Sequence, residues 1–448
     1  MMLTLLAYGL VIVFMSLIMT KRLSPLTALV LVPVGFGLLA GYTRELGPMM
    51  LDGMKALAPT GIMLLFAILY FAVMLEAGLF EPFVRWLVQV VQGDPVKIVV
   101  GSAALALLVS LDGDGSTTYM ITTAAMLPLY RRLGLRPLVL GCVTMVAGGV
   151  MNLLPWGGPT ARAASALAID VNAVFVPLVP AMGFGVVWTL VVAWRLGLAE
   201  RARLAAEAAR VRDDDGGELF IADAMLPTPM ASAVIDPPHE VRAARFWANA
   251  ALTLVLLVAL VRGVLPLPVL FTLAFAVALL VNLPAIPDQK AFLNRHAGNA
   301  LAVSGLIFAA GIFTGILSGT RMVDAIANSV VALVPPALGP YLAVVTGVLS
   351  VPFTFFISND AFYYGVLPIL AKAGATYGIS PAEMARASLV GQPVHLLSPL
   401  VPSTFLLVGL LGVEFDEHQK FTIRWALGAT AVLLVAGLLT TVIPLVGR

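Results

Sequence analysis

Two apolar stretches of the chain, 97 to 130 and 337 to 371, are each broken midway by a polar cluster: Asp112-Gly-Asp-Gly-Ser-Thr-Thr118 and Ser358-Asn-Asp360. The arms flanking each break are short against the about 20 residues a membrane-crossing helix needs. Such a segment suits a helical hairpin that enters an apolar layer and returns to the same side. Two later apolar runs, 137 to 165 and 384 to 412, are interrupted by Pro155-Trp-Gly-Gly-Pro-Thr160 and Ser398-Pro-Leu-Val-Pro-Ser-Thr404. Paired prolines remove backbone donors, so these helices are expected to be unwound. Asp112 to Pro155 is 43 residues and Ser358 to Pro399 is 41, with the two halves offset by 246 and 244 residues. A hairpin followed by a broken helix therefore occurs twice, and interrupted segments at matching places in two halves point to a transporter's binding site.

The solvent implied for these breaks is lipid. Only 11% of the 448 residues are charged and mean hydropathy is +1.01, whereas soluble domains carry roughly a quarter charged residues. Further spans are read near 3 to 19, 25 to 41, 58 to 78 and 173 to 195, then 246 to 262, 265 to 283, 297 to 318 and 421 to 445. Counting the broken helices, each half has five spans, an odd number, which inverts the second half relative to the first. The expected fold is an all-α polytopic membrane protein of two inverted repeats. Repeat one is 1 to 195 and repeat two is 246 to 448. The segment 196 to 245 between them holds 15 of the 50 charged residues and reads as a cytoplasmic linker, with a helix over 196 to 212. Lys21 and Arg22 follow the first apolar run rather than precede it, the reverse of a cleaved signal peptide, so that run is expected to be retained. Lys21/Arg22, Arg85/Lys97, Arg131/Arg132/Arg136 and the Arg195 to Arg245 segment all fall on the cytoplasmic side under one threading.

Several function classes are excluded. A net charge of +2 gives no basic field for nucleic acid. One cysteine, Cys142, and four scattered histidines build neither a disulfide nor a metal cluster, and no prosthetic group is expected. There is no Gly-Lys dipeptide for a P-loop, and His239-Glu240 lacks a metalloprotease's second histidine. Leu111 stands where an intramembrane aspartyl protease would want glycine.

Acidic residues at membrane depth are costly, which singles out Asp112, Asp114 and Asp360 for metal contact or proton coupling. In an extramembrane loop they would mean little. Asp112-Gly-Asp-Gly-Ser116 resembles the start of a calcium-binding loop, but Thr123 replaces the closing Glu; a hard-oxygen site for a divalent cation survives. Helix N-termini at the hairpin tips favour an anion, with Ser116, Thr117, Thr118, Ser358 and Asn359 as donors; hydroxyls at these positions equally serve as helix caps. Asn152, Gly158 and Thr160 in the first broken helix, and Ser398, Ser403 and Thr404 in the second, complete the candidate substrate site. Arg162 needs a carboxylate partner, from substrate or an aspartate, unless it snorkels to the interface. His395 is a candidate proton relay or a structural histidine. Gly311, Gly315 and Gly319, at four-residue spacing, read as a helix-packing face.

The segments SLDGDGSTTYMITTAAMLPLYRRLGL, MNLLPWGGPTARAASAL, FFISNDAFYYGVLPILAKAG and GQPVHLLSPLVPSTFLLVG resemble the signature blocks of the bacterial citrate–metal/proton symporters, the CitMHS family, over nearly the whole chain. The resemblance implies import of citrate complexed with a divalent cation of the magnesium or calcium group, in symport with protons, across the bacterial inner membrane. It implies a dicarboxylate-carrier-like elevator fold and a homodimer. Sodium-coupled dicarboxylate relatives use Ser-Asn-Thr at both tips; Ser358-Asn359-Asp360 and the Asp-rich first tip depart from that, which argues against simple sodium coupling. Trivalent citrate plus a divalent metal is a monoanion, and moving one charge against 100 mV costs about 2.3 kcal/mol. Two accompanying protons reverse the sign. A cation/proton antiporter of the same superfamily and a metal-independent di- or tricarboxylate carrier are the competing readings.

Overall fold

The computed structural model describes residues 2–91, 93–214, 243–333, 335 and 337–447. All regular structure among them is helical. The first half runs α1 Met2–Met19, α2 Pro25–Leu39, α3 Leu46–Glu76, α4 Glu81–Val91, α5 Pro95–Val109, α6 Gly115–Arg132, α7 Pro137–Met151, α8 Gly158–Ala166 and α9 Val171–Asp214. The second runs α10 Ala243–Arg262, α11 Leu267–Asn282, α12 Ile286–Gly319, α13 Met322–Leu333, α14 Leu342–Phe356, α15 Leu367–Ala375, α16 Pro381–Leu389, α17 Gln392–His395, α18 Pro402–Leu411 and α19 Phe415–Leu439. Among the described residues seven helical segments are long and apolar enough to cross a membrane, and the shorter α1, α2, α7, α11 and α18 are apolar as well.

The two halves share an element order: two apolar helices, a long helix, a short amphipathic helix, a hairpin, a broken helix and a closing span. The long helices begin earlier than hydropathy predicts, at Leu46 and Ile286. Asp52 and Lys55 in α3, and Asp288, Lys290, Arg295 and His296 in α12, lower local hydropathy without breaking the helix. Helices α4 and α13, of 11 and 12 residues, are too short to span a membrane and are amphipathic. Helix α9 continues unbroken past the expected end of its span at 195. Arg201 grips both carboxylate oxygens of Asp94 at 2.6 and 2.7 Å, and buried Glu200 takes the Arg136 backbone N–H and guanidinium at 3.1 and 2.6 Å. The Arg201 guanidinium holds the Asp94 carboxyl below its usual range. The rest of the linker, 215 to 242, lies outside the described residues.

Helices α1–α3 and α10–α12 pack as one group, α5–α7 and α9 with α17–α19 as another, and α8, α16 and the second hairpin lie between. The first group turns on the crossing of α3 and α12. A Cβ on Gly53 would strike the Gly311 carbonyl and the Gly315 backbone, and one on Gly311 the Gly53 carbonyl, so the helices meet backbone to backbone. With lipid as apolar as leucine, such close approach is what drives helices together in a membrane. Polar pairs reinforce the group: Tyr70 meets Thr253 at 2.8 Å, and the Asn249 and Asn282 amides exchange hydrogen bonds at 2.8 and 2.9 Å.

Gly53→Val therefore has no room and is expected to destabilise by about 1–3 kcal/mol, the range for overpacking. Gly183→Ala on α9, where a Cβ meets nothing within 4 Å, is the tolerated control. Thermal unfolding in detergent checks the pair: equal melting temperatures would remove the crossing as a determinant.

Candidate functional site

The first hairpin turns through a 3₁₀ segment, Ser110–Asp112, and Gly113 at φ +78°, before α6 starts at Gly115. Asp114 is the N-cap of α6: its oxygens accept from the N–H groups of Ser116 and Thr117 at 3.1 and 3.3 Å and from the Thr117 hydroxyl at 2.7 Å. Asp112 is buried; one oxygen accepts from the Asp114 N–H at 2.9 Å and the other has no partner among the described residues. Thr118, buried, donates to the Ser110 hydroxyl at 3.3 Å. The tip rests on Trp156 from the first break, whose indole N–H donates to the Leu111 carbonyl at 2.8 Å. A Cβ on Gly113 would collide with that indole, so this glycine is required for both its backbone angle and its contact.

The second tip is built differently. Helix α14 ends at Phe356, Ser358 accepts from the Ala361 N–H at 3.2 Å, and the chain re-enters as a π-helical turn, Ala361–Val366. Such turns widen a helix and frequently sit at functional sites. Asp360, one residue ahead of the turn, is buried and accepts from Arg162 Nε at 2.6 Å. Arg162 lies on α8, just beyond the first break, and a side chain on Gly158 would strike its guanidinium. The pair joins the first broken helix to the second hairpin tip. It keeps partial access, with the two side chains 21% and 12% exposed. The guanidinium thus takes an aspartate partner rather than snorkelling.

The broken helices meet at Gly149 and Pro393, where a Cβ on the glycine would strike the proline backbone. The second break is longer than the sequence suggested: α16 ends at Leu389, α17 is a single turn, and α18 starts at Pro402. Several predicted binding groups close these breaks. Thr160 donates to the Leu153 carbonyl at 2.9 Å, Thr404 to Leu396, and Ser398 to Phe355 at 2.6 Å. His395 is held by Nδ1 at 2.6 Å from the Thr354 carbonyl, which fixes its ring. Ser403 stands beside Gly115 of the first tip.

Asn152 donates to the Gln392 carbonyl oxygen at 3.1 Å, and the Gln392 amide donates to Asn359 at 3.2 Å and the Tyr363 hydroxyl at 2.8 Å. Gln392 and Tyr363, absent from the sequence-derived set, thereby link both broken helices and the second tip. No group of three or more Asp, Glu, His or Cys positioned to hold a metal occurs among the described residues. Asp112, Asp114 and Asp360 are accordingly not gathered into one cage: the first is sunk in its turn, the second caps α6 and the third is paired with Arg162.

The model of the citrate transporter family, CitMHS, matches residues 14–391. A "Citrate transporter" of Bacillus subtilis (strain 168) is 55% identical over 442 residues, covering 99% of this chain and 100% of its own. A "Mg(2+)/citrate complex secondary transporter" of the same organism is 48% identical, covering 98% of each. Among solved structures, the chain is similar to MtrF of Neisseria gonorrhoeae, of a class of antimetabolite efflux pumps, at TM-score 0.59 and 14% identity over 91% of this chain and 86% of that one. It is likewise similar to the Alcanivorax borkumensis YdaH transporter at TM-score 0.56 and 16% identity over 88% of each. These two likenesses speak to fold alone. The family match and the extent of the relatives establish that this chain is a multi-pass membrane protein, a transporter rather than an enzyme, and belongs to the citrate transporter family.

Proposed function

We propose that the protein is a secondary active transporter importing citrate complexed with a divalent cation, in symport with protons. The observation that carries this reading is the Arg162–Asp360 pair, a partly accessible charge-assisted contact between the first broken helix and the second hairpin tip. A guanidinium fork matches a carboxylate. A citrate carboxylate is a chemically equivalent partner for Arg162, and its arrival frees Asp360. The 48% identical magnesium/citrate relative supports a magnesium-group cation.

The metal does not require a preformed acidic cage. Magnesium keeps several waters and is usually held by one or two carboxylates plus the substrate's own oxygens, and citrate supplies three carboxylates. Asp360, once released, and Asp112, with its unpartnered oxygen, are the protein groups proposed to meet the cation or take up protons. Asp114, Ser116, Thr117 and Thr118 shape the first tip, with the Ser116 hydroxyl and Ser403 proposed to reach substrate. The halves are proposed to be inverted repeats at the boundaries given above. The α3–α12 group then forms the fixed body of a homodimer, and the hairpins and broken helices the moving body.

In proteoliposomes with an inward proton gradient, radiolabelled citrate uptake is expected only with a divalent cation present, tested across Mg²⁺, Ca²⁺ and Mn²⁺. Equal uptake without metal would assign a free carboxylate carrier, and metal-driven proton movement without citrate uptake would assign the antiporter.

Arg162→Gln is expected to abolish that uptake. Arg162→Lys, which keeps the charge without the fork, should raise KM about tenfold, the scale of one charge-assisted contact. Asp360→Asn, which removes the carboxylate that competes for Arg162, is expected to bind citrate at least as tightly as native but to abolish accumulation driven by the proton gradient. Native accumulation in Asp360→Asn would remove this residue from coupling.

A further inference from the structure

The donors and acceptors around Gln392 form one directed hydrogen-bond chain. The Ser388 carbonyl only accepts, and it receives the Tyr363 hydroxyl at 3.4 Å. With its proton so placed, the Tyr363 oxygen accepts from the Gln392 amide NH₂ at 2.8 Å. This turns the Gln392 carbonyl oxygen toward Asn152, whose NH₂ donates to it at 3.1 Å. The second Gln392 amide hydrogen goes to the Asn359 carbonyl oxygen at 3.2 Å. Gln392 and Tyr363 are fully buried, whereas Asn152 and Asn359 are partly exposed.

Each asparagine therefore has one amide end committed inward and the opposite end unclaimed by protein among the described residues. Asn152 is left with its carbonyl oxygen, a hard acceptor suited to a cation, its water shell or a hydroxyl. Asn359 is left with its NH₂, a donor suited to a carboxylate. The two residues come from different elements, the first break and the second tip, and one amide sets the polarity of both.

Resting on the metal–citrate reading above, we infer that Gln392 is a positioning residue for specificity. It holds Asn152 as an acceptor for the cation side of the complex and Asn359 as a donor for its carboxylate side. A chain reading carboxylates alone, with neither hydroxyl nor cation, would have no use for a fixed acceptor there. One reading a bare cation would have no use for the fixed donor.

Gln392→Glu tests this in the full chain, because an ionised carboxylate only accepts. Asn359 must then turn its NH₂ inward and present its carbonyl oxygen outward, replacing the donor with a second acceptor. Initial rates of Mg²⁺–citrate uptake in proteoliposomes are expected to show KM raised at least about tenfold, the scale of one misdirected hydrogen bond to a charged group, with kcat within a few-fold of native. Tyr363→Phe keeps the ring but releases the amide from its anchor, and is expected to raise KM by a smaller factor, again with kcat preserved. Should Gln392→Glu lose the native melting temperature or size-exclusion profile, Tyr363→Phe carries the test. Native KM in the folded variants, or a fall in kcat at unchanged KM, overturns the polarity role while leaving metal–citrate transport standing. A native chain that takes up no citrate with any divalent metal overturns both together.

Discussion

An opened helix inside a membrane exposes carbonyl and N–H groups with no water to meet them, so every such group must find a partner within the protein. The site is organised around that obligation. Thr160 and Thr404, each near the restart of a broken helix, hand their hydroxyls back to carbonyls of the preceding segment, Leu153 and Leu396. Ser398 and His395 tie the second break to the end of α14 through the Phe355 and Thr354 carbonyls. Trp156 ties the first break to its hairpin through Leu111. With these bonds made, the breaks are rigid features able to hold Asn152, Gly158 and Gln392 at fixed positions.

The same obligation makes the electrostatics two-state. Taking a guanidinium out of water is tolerable only with an anionic partner, and a pair stripped of one member leaves an uncompensated charge costing about 3–5 kcal/mol. Arg162 must therefore always have a carboxylate beside it. Here that carboxylate is Asp360. In the proposed transport cycle an arriving anion would take over this role from Asp360, and the coupling proposed between anion, metal and proton would then rest on one guanidinium.

Much of this was legible in the sequence, for a specific reason. Polar and Pro/Gly clusters inside apolar runs are costly, so Asp112–Thr118, Pro155–Thr160, Ser358–Asp360 and Ser398–Thr404 marked the structural breaks. The pairing of Gly311 and Gly315 with α3 was half visible, since small residues at four-residue spacing announce a close contact but not its partner, Gly53. What stayed hidden depended on three-dimensional partners. Nothing in spacing distinguishes Arg162 bound to Asp360 from Arg162 reaching for an interface. The hydroxyls of Thr160, Ser398 and Thr404 look the same in sequence whether they face a ligand or a carbonyl seven to forty-three residues away. Gln392, before a proline in an irregular segment, carried no signal at all. Only the convergence of Asn152, Asn359 and Tyr363 on it gives it meaning.

The absence of a clustered acidic cage among the described residues bears on what kind of cargo this architecture suits. A divalent cation carried without an organic anion would have to find its carboxylate ligands in the protein. Here the acids are spread over two tips, and one of them is neutralised by an arginine. The surrounding groups are amides and hydroxyls that bind oxygen-rich anions as readily as hydrated cations. That distribution is compatible with the proposed metal–citrate cargo, which brings its own carboxylates to its own metal. A site of this kind selects through the direction of a few neutral hydrogen bonds. It therefore depends more on buried residues such as Gln392, which fix those directions, than on the number of charges it contains.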